Sequence, residues 1–187
     1  MIPSQAEIRS SLQGAFRLAR FDEGGVHDFN LSLPGFWQSF FAAVLVAPGY
    51  VLLVAQKAAN EPEPIDLGLF GLVELVGFVL SWIVFPLAAI PLTRLLGLDH
   101  RYAVLIIASN WAKVVQMIAF LASLLVAAIL PPEGGAPVIL IVTVAILVYQ
   151  WFIARVTLDT SASIAAGVVA VDLLLGIFVS GLIESAF

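Results

Sequence analysis

A single lysine interrupts an otherwise apolar run, Ile107-Ala108-Ser109-Asn110-Trp111-Ala112-Lys113-Val114-Val115-Gln116-Met117-Ile118. Comparable runs elsewhere contain Glu74, Gln150 and Asp172. A charge at the centre of a bilayer costs about 2.5–3.5 kcal/mol on insertion scales, so such residues face the interior of a bundle and pair. Asn110, Lys113 and Gln116 recur every three residues and line one slowly turning helical face. Asp172, Gly176, Ser180 and Glu184 recur every four, and Gly71, Glu74, Gly77 and Ser81 form a similar stripe. Small residues beside an acid let helices approach until the acid reaches a neighbour.

Depth favours one pairing among these groups. Lys113 lies twelve residues past Arg101 and Asp172 thirteen past Asp159. At about 1.5 Å of rise per residue the two sit at nearly one level. Lys113 and Asp172 are expected to pair, directly or through water, with Asn110 and Gln116 meeting the leftover donors and acceptors. Glu74 enters from the opposite side, seven residues past Leu67, and is a poorer partner for Lys113. Three roles stay open for Lys113: glue between helices, snorkelling to an interface, or a polar path.

Catalytic chemistry finds little support. Ser109 precedes Lys113 by one helical turn, but a serine–lysine nucleophile also needs an orienting group and an oxyanion hole. The chain has no G-x-S-x-G elbow, no H-E-x-x-H pair and no P-loop, and its two histidines, His27 and His100, lie outside the apolar runs. Asp22, Glu23, His27 and Asp28 match known metal-ligand spacings poorly, and there is no cysteine. No catalytic residue, metal ligand or cofactor is assigned, and the expectation is a protein that is not an enzyme.

The elements that position these groups follow from composition. Of 187 residues, 61% are hydrophobic and 11% charged, against about 25% charged in soluble domains. So apolar a chain reads as an all-α, polytopic membrane bundle. Five runs reach the roughly 20 residues needed to span a bilayer core: about 36–55, 67–96, 102–130, 136–157 and 162–183. "QKAANEPEPID", "GLDHR", "PPEGG" and "LDTS" separate them with turn, charge and capping signals. Short connections make the later helices antiparallel neighbours. Pro48-Gly49, Pro86 and Pro91 predict kinks. At the "DHR" and "LDTS" turns, Asp159 or Thr160 is expected to cap the last span, within a solvated rim. No inverted repeat emerges, and five is an odd number for a duplicated transporter.

Residues 1–35 differ from the five-span region 36–187. Ser4 and Glu7 fit a capping box. Ile8, Leu12, Ala15, Phe16 and Ala19 then share one helical face, with Arg9, Gln13, Arg17 and Arg20 on the other. This predicts an amphipathic interfacial helix whose Arg9, Arg17 and Arg20 meet an anionic leaflet, the alternative being a helix packed on a partner or on the bundle's own loops. A flexible acidic connector follows. Lys and Arg counted by side give Arg9, Arg17, Arg20, Arg94, Arg101 and Arg155 against Lys57, with Glu61, Glu63, Asp66 and Glu133 on the lysine side. The positive-inside rule places the N-terminus in the cytoplasm and the C-terminus outside. The net charge of −5 offers no basic field for nucleic acid.

The layout of a cytoplasmic N-terminal segment and five spans resembles the Yip1-like family of small membrane proteins. The segments that carry the likeness are "PLTRLLGLDHRYAVLIIASNWAKVV", "FWQSFFAAVLVAP" and "RVTLDTSASIAAGVVAVDLLL". The D-L-Y-G-P motif of eukaryotic members is absent, as is a proline near Lys113, so no Rab-binding residue is carried over. The resemblance implies a bacterial inner-membrane protein with its C-terminus in the periplasm. It would be a non-enzymatic scaffold, assembly or membrane-organising protein. Its partners would be the lipid bilayer and a second membrane protein or further copies of itself. The alternative is a small transporter or channel component with a polar path near Glu74, Lys113 and Asp172.

Overall fold

The computed structural model describes residues 2–61 and 65–185, so Glu63 lies outside the described residues. Among the described residues seven α-helices follow one another: α1 Gln5–Ala19, α2 Leu33–Ser39, α3 Ala42–Ala59, α4 Leu67–Leu95, α5 Tyr102–Ile129, α6 Pro132–Leu158 and α7 Ala162–Glu184. There is no strand among the described residues. Five segments among the described residues are long and apolar enough to cross a membrane: Leu33–Ala59, Leu67–Leu95, Asp99–Ile129, Glu133–Leu158 and Ala162–Glu184. Exposed leucines, isoleucines and valines such as Leu72, Leu87, Leu125, Ile141 and Leu174 coat their outward faces, as lipid contact requires.

Local chemistry sets most boundaries. Asp66 caps α4 by accepting from the amides of Gly68 (2.8 Å) and Leu69 (3.1 Å). The same helix ends at Gly97, whose φ of +70° suits glycine. There the amide of Leu98 donates to the Thr93 carbonyl and that of Gly97 to Arg94, closing a Schellman turn. Pro131 forces Leu130 into extended geometry and ends α5. Ser161 accepts from the Ile164 amide and caps α7, a role the sequence pointed to at Asp159 or Thr160. Asp159 instead closes α6 in the left-handed region, at φ +50°, and pairs with Arg101 at 3.2 Å.

The first span departs from its expected bounds. It is interrupted at Phe40–Phe41, between α2 and α3. Pro48 sits inside α3, and Pro86 and Pro91 sit inside α4. The span also runs on past residue 55, because Gln56, Lys57, Ala58 and Ala59 are good helix formers and the stop comes at Asn60. Lys57 therefore belongs to the helix and not to the connector.

The packing forms a ring with an outer layer. α5 packs on α6, α6 on α7, α7 on α4, and α4 on α5, closing a four-helix ring. α2 and α3 lie outside it against α5, with α3 also touching α4. α1 and the 3₁₀ turn Glu23–Asp28 pack on each other, and α1 packs on α5 and α6. Ala15, Leu18 and Phe29 join Ile107, Trp111, Tyr149 and Phe152 in one buried core. The Tyr149 hydroxyl donates to the Ala15 carbonyl at 2.7 Å. The two N-terminal elements approach backbone to backbone: a Cβ on Gly14 would stand 2.6 Å from the Gly25 carbonyl oxygen. Much of the apolar face of α1 is thus used against the chain's own helices.

Candidate functional site

Each helix of the ring turns a polar side chain toward the space it encloses. Ser81 of α4, Lys113 of α5, Gln150 of α6 and Asp172 of α7 line one cleft of about 790 Å³. The cleft runs from the middle of the spans toward the end opposite α1, where Tyr50, Lys57, Glu74 and Glu184 line it. Its walls are aliphatic, with Leu147, Leu173, Ile177 and Val179 among them. A smaller cavity of about 30 Å³, room for about two waters, adjoins the base and is also bounded by Lys113, Gln116, Gln150 and Asp172. The whole period-four stripe of Asp172, Gly176, Ser180 and Glu184 faces the cleft.

Lys113 and Asp172 share these walls without a direct ion pair; the four ion pairs among the described residues lie elsewhere. Lys113 Nζ donates to the Ser81 carbonyl at 3.1 Å and stands 4.3 Å from the centre of the Trp82 ring, a cation–π distance. Pro86 has no N–H, so the Trp82 carbonyl lacks its helical donor, and the lysine docks on the turn that the proline disturbs. Asp172 has no hydrogen-bond or ion-pair partner among the described residues.

Asn110 is not part of this set. Its amide donates to Ser39 Oγ at 2.9 Å, and the Ser39 hydroxyl donates to the Phe36 carbonyl. It therefore braces the break between α2 and α3. The cause is helical geometry: a three-residue step falls about 60° short of a full turn. Asn110 and Gln116 accordingly diverge to either side of Lys113. Gln116 remains at the cavities that Lys113 lines.

Glu74 is committed at the other end of the cleft. Lys57 Nζ lies 2.7 Å from its Oε1 and the Tyr50 hydroxyl donates to its Oε2 at 2.8 Å. The glutamate side chain is only 8% exposed. Tyr50 and Lys57 are not among the expected site residues. Their seven-residue spacing, which puts two side chains on one helical face, is the signal that points to them.

The N-terminal charges divide. Arg17 pairs with Asp22 at 2.7 Å and Asp28 at 3.0 Å, locking α1 to the 3₁₀ turn. The hydrogen bond from Arg17 holds the Asp22 carboxyl below its ordinary range, and the same contact raises the arginine. Arg9 and Arg20 are exposed. Glu7 offers its amide to Ser4 as a capping box requires, but its carboxylate accepts from Asn30 Nδ2 at 2.9 Å. No group of three or more metal-binding side chains occurs among the described residues.

Comparison of the chain with known family models, with curated proteins and with solved structures found no match.

Proposed function

We propose that this chain is a non-enzymatic, multi-pass protein of a bacterial inner membrane that admits a small polar solute to the cleft, as a transporter or channel component. One observation carries the reading. Four helices each direct a polar side chain to a single cleft at mid-span, and a lysine and an aspartate there are not joined to each other. Ionisable side chains within spans face bundle interiors or aqueous cavities and mark solute and proton routes. Here Lys113 and Asp172 have such a space in common. With the N-terminus in the cytoplasm, as the arginine distribution favours, the cleft opens toward the periplasm.

The test is flux in proteoliposomes. Uptake of a small charged or zwitterionic solute is expected, varying with pH and lost in Asp172→Asn. A monodisperse wild-type protein that carries none of the offered solutes would sink the proposal. A second reading has its own support: Phe16 and Phe21 are each 55% exposed beside Arg20 at the α1 end. That surface suits an interfacial role for α1 on the cytoplasmic leaflet, or a protein partner, within a scaffold or membrane-organising protein of the Yip1-like kind. Stable co-purification of a partner without flux would favour it.

A further inference from the structure

On the reading that the cleft admits a solute, we infer that its ligand is zwitterionic, with an ammonium group directed to Asp172 and an anionic group to Lys113. The argument begins with unused bonding capacity. A lysine ammonium has three donors; Ser81 takes one, Trp82 supplies a ring face, and the remainder are open to the cavity. Asp172 accepts hydrogen bonds and meets no donor among the described residues, although it borders both the small cavity and the large cleft. Gln150, on the helix between them in the ring, offers both a donor and an acceptor to the same space.

Charge balance then selects the ligand class. A lone anion at Lys113 would face the Asp172 carboxylate, and a lone cation at Asp172 would face the lysine. Inside a cleft walled by aliphatic side chains such repulsion is weakly screened. A molecule carrying both charges satisfies both residues and adds no net charge. Of the other charged groups in the cleft, Lys57 and Glu74 neutralise each other at 2.7 Å, and Glu184 stands at the far end of α7, about 18 Å of helix rise from Asp172. A cleft of about 790 Å³ lies within the range of small-ligand sites, roughly 300–1,000 Å³. Two sources share this chemistry: a free amino acid-like solute, and the phosphoethanolamine headgroup of a lipid reaching the cleft from the side.

The experiment is calorimetric titration of the purified full chain in detergent. The probes are glycerophosphoethanolamine and ω-amino acids of two to five carbons, set against dimethyl phosphate, propionate and ethylammonium as single-charge halves. At least one zwitterion should bind about tenfold more tightly than either half, the equivalent of one charge-assisted hydrogen bond. Asp172→Asn should erase that advantage and leave the singly charged anions binding as well as the zwitterions. Lys113→Gln should do the reverse, favouring ethylammonium. Asp172→Glu and Lys113→Arg keep the charges and should retain the preference, which separates lost recognition from lost folding. Competition by phosphatidylethanolamine, and not by phosphatidylglycerol, would identify the lipid source; no competition would identify the free solute. The inference is overturned if a single-charge half binds the wild type as tightly as any zwitterion, or if no zwitterion in the panel binds. In that event flux of a simple ion in proteoliposomes would leave the transport reading standing, and the absence of both would remove it too.

Discussion

At the far end of the cleft Lys57 and Glu74 lie 2.7 Å apart, whereas at its base Lys113 and Asp172 face one space without touching. Both sets pair a lysine with an acid on another helix. The difference lies in the helices. Lys57 and Glu74 sit on α3 and α4, which pack directly. Lys113 and Asp172 sit on α5 and α7, which stand across the ring, each packed on α4 and α6. Neighbouring helices let a long side chain close onto its partner. Opposite helices leave a gap that a carbonyl, an aromatic face, water or a ligand must fill. The first arrangement is suited to fastening helices together, the second to receiving something between them.

The largest test of that contrast is to remove one partner from each set. Lys57→Met strands a buried glutamate and should cost about 3 kcal/mol, the lower end for an orphaned buried charge because Tyr50 still donates to it. Asp172→Asn removes no direct bond and should cost less than about 1 kcal/mol, the scale of a single polar contact between spanning helices. Reversible unfolding in mixed micelles measures both. An Asp172→Asn loss equal to that of Lys57→Met would show that the base of the cleft is a fastening as well.

Tyr50→Phe makes a finer cut. It deletes one donor to Glu74 while leaving Lys57 in place, so a loss of about 1 kcal/mol is expected in the same assay. A neutral result would mean that the ion pair alone holds α3 on α4.

The smallest effect comes from the exposed pair of Arg17 and Asp22, which sharpens the contrast by showing how a solvated pair behaves. Arg17 lowers the Asp22 carboxyl below its ordinary value of 3.8. The contact is thus fully stabilising above that value and is lost as the pH falls through the lowered one. Amide protection over Glu23–Asp28, corrected for intrinsic exchange, should hold at neutral pH, weaken below about pH 4 and decline in high salt. An identical acid step in Arg17→Gln would show that another group is responsible.

How much of the site was legible depended on the range of the contact involved. Asp172, Gly176, Ser180 and Glu184 all border the cleft, but so do Leu173, Ile177 and Val179 between them, so the four-residue period alone does not single them out. The three-residue period of Asn110, Lys113 and Gln116 drifts faster, which is why Asn110 ended against Ser39. Glu74 within an apolar run needs a partner, but in the sequence Lys57 has the look of a loop charge. The end of a span is set by local helix preference at Gln56–Ala59, and hydropathy alone does not register it. The acidic connector offered Asp22 and Asp28 as weak metal ligands, and both are held by Arg17.

By itself the sequence determined the helical class, the five segments able to cross a membrane among the described residues, and the cap at Ser4. These depend on composition and on neighbours within a turn or two, where hydrophobicity and backbone chemistry act without reference to the rest of the chain. Only the tertiary structure decided that α1 docks on α5 and α6, that Lys57 answers Glu74, and that Lys113 and Asp172 look at each other across a ring. Those outcomes depend on which helices become neighbours and how each is rotated. Several arrangements of five apolar helices satisfy the same hydropathy, and only packing of the whole bundle selects among them.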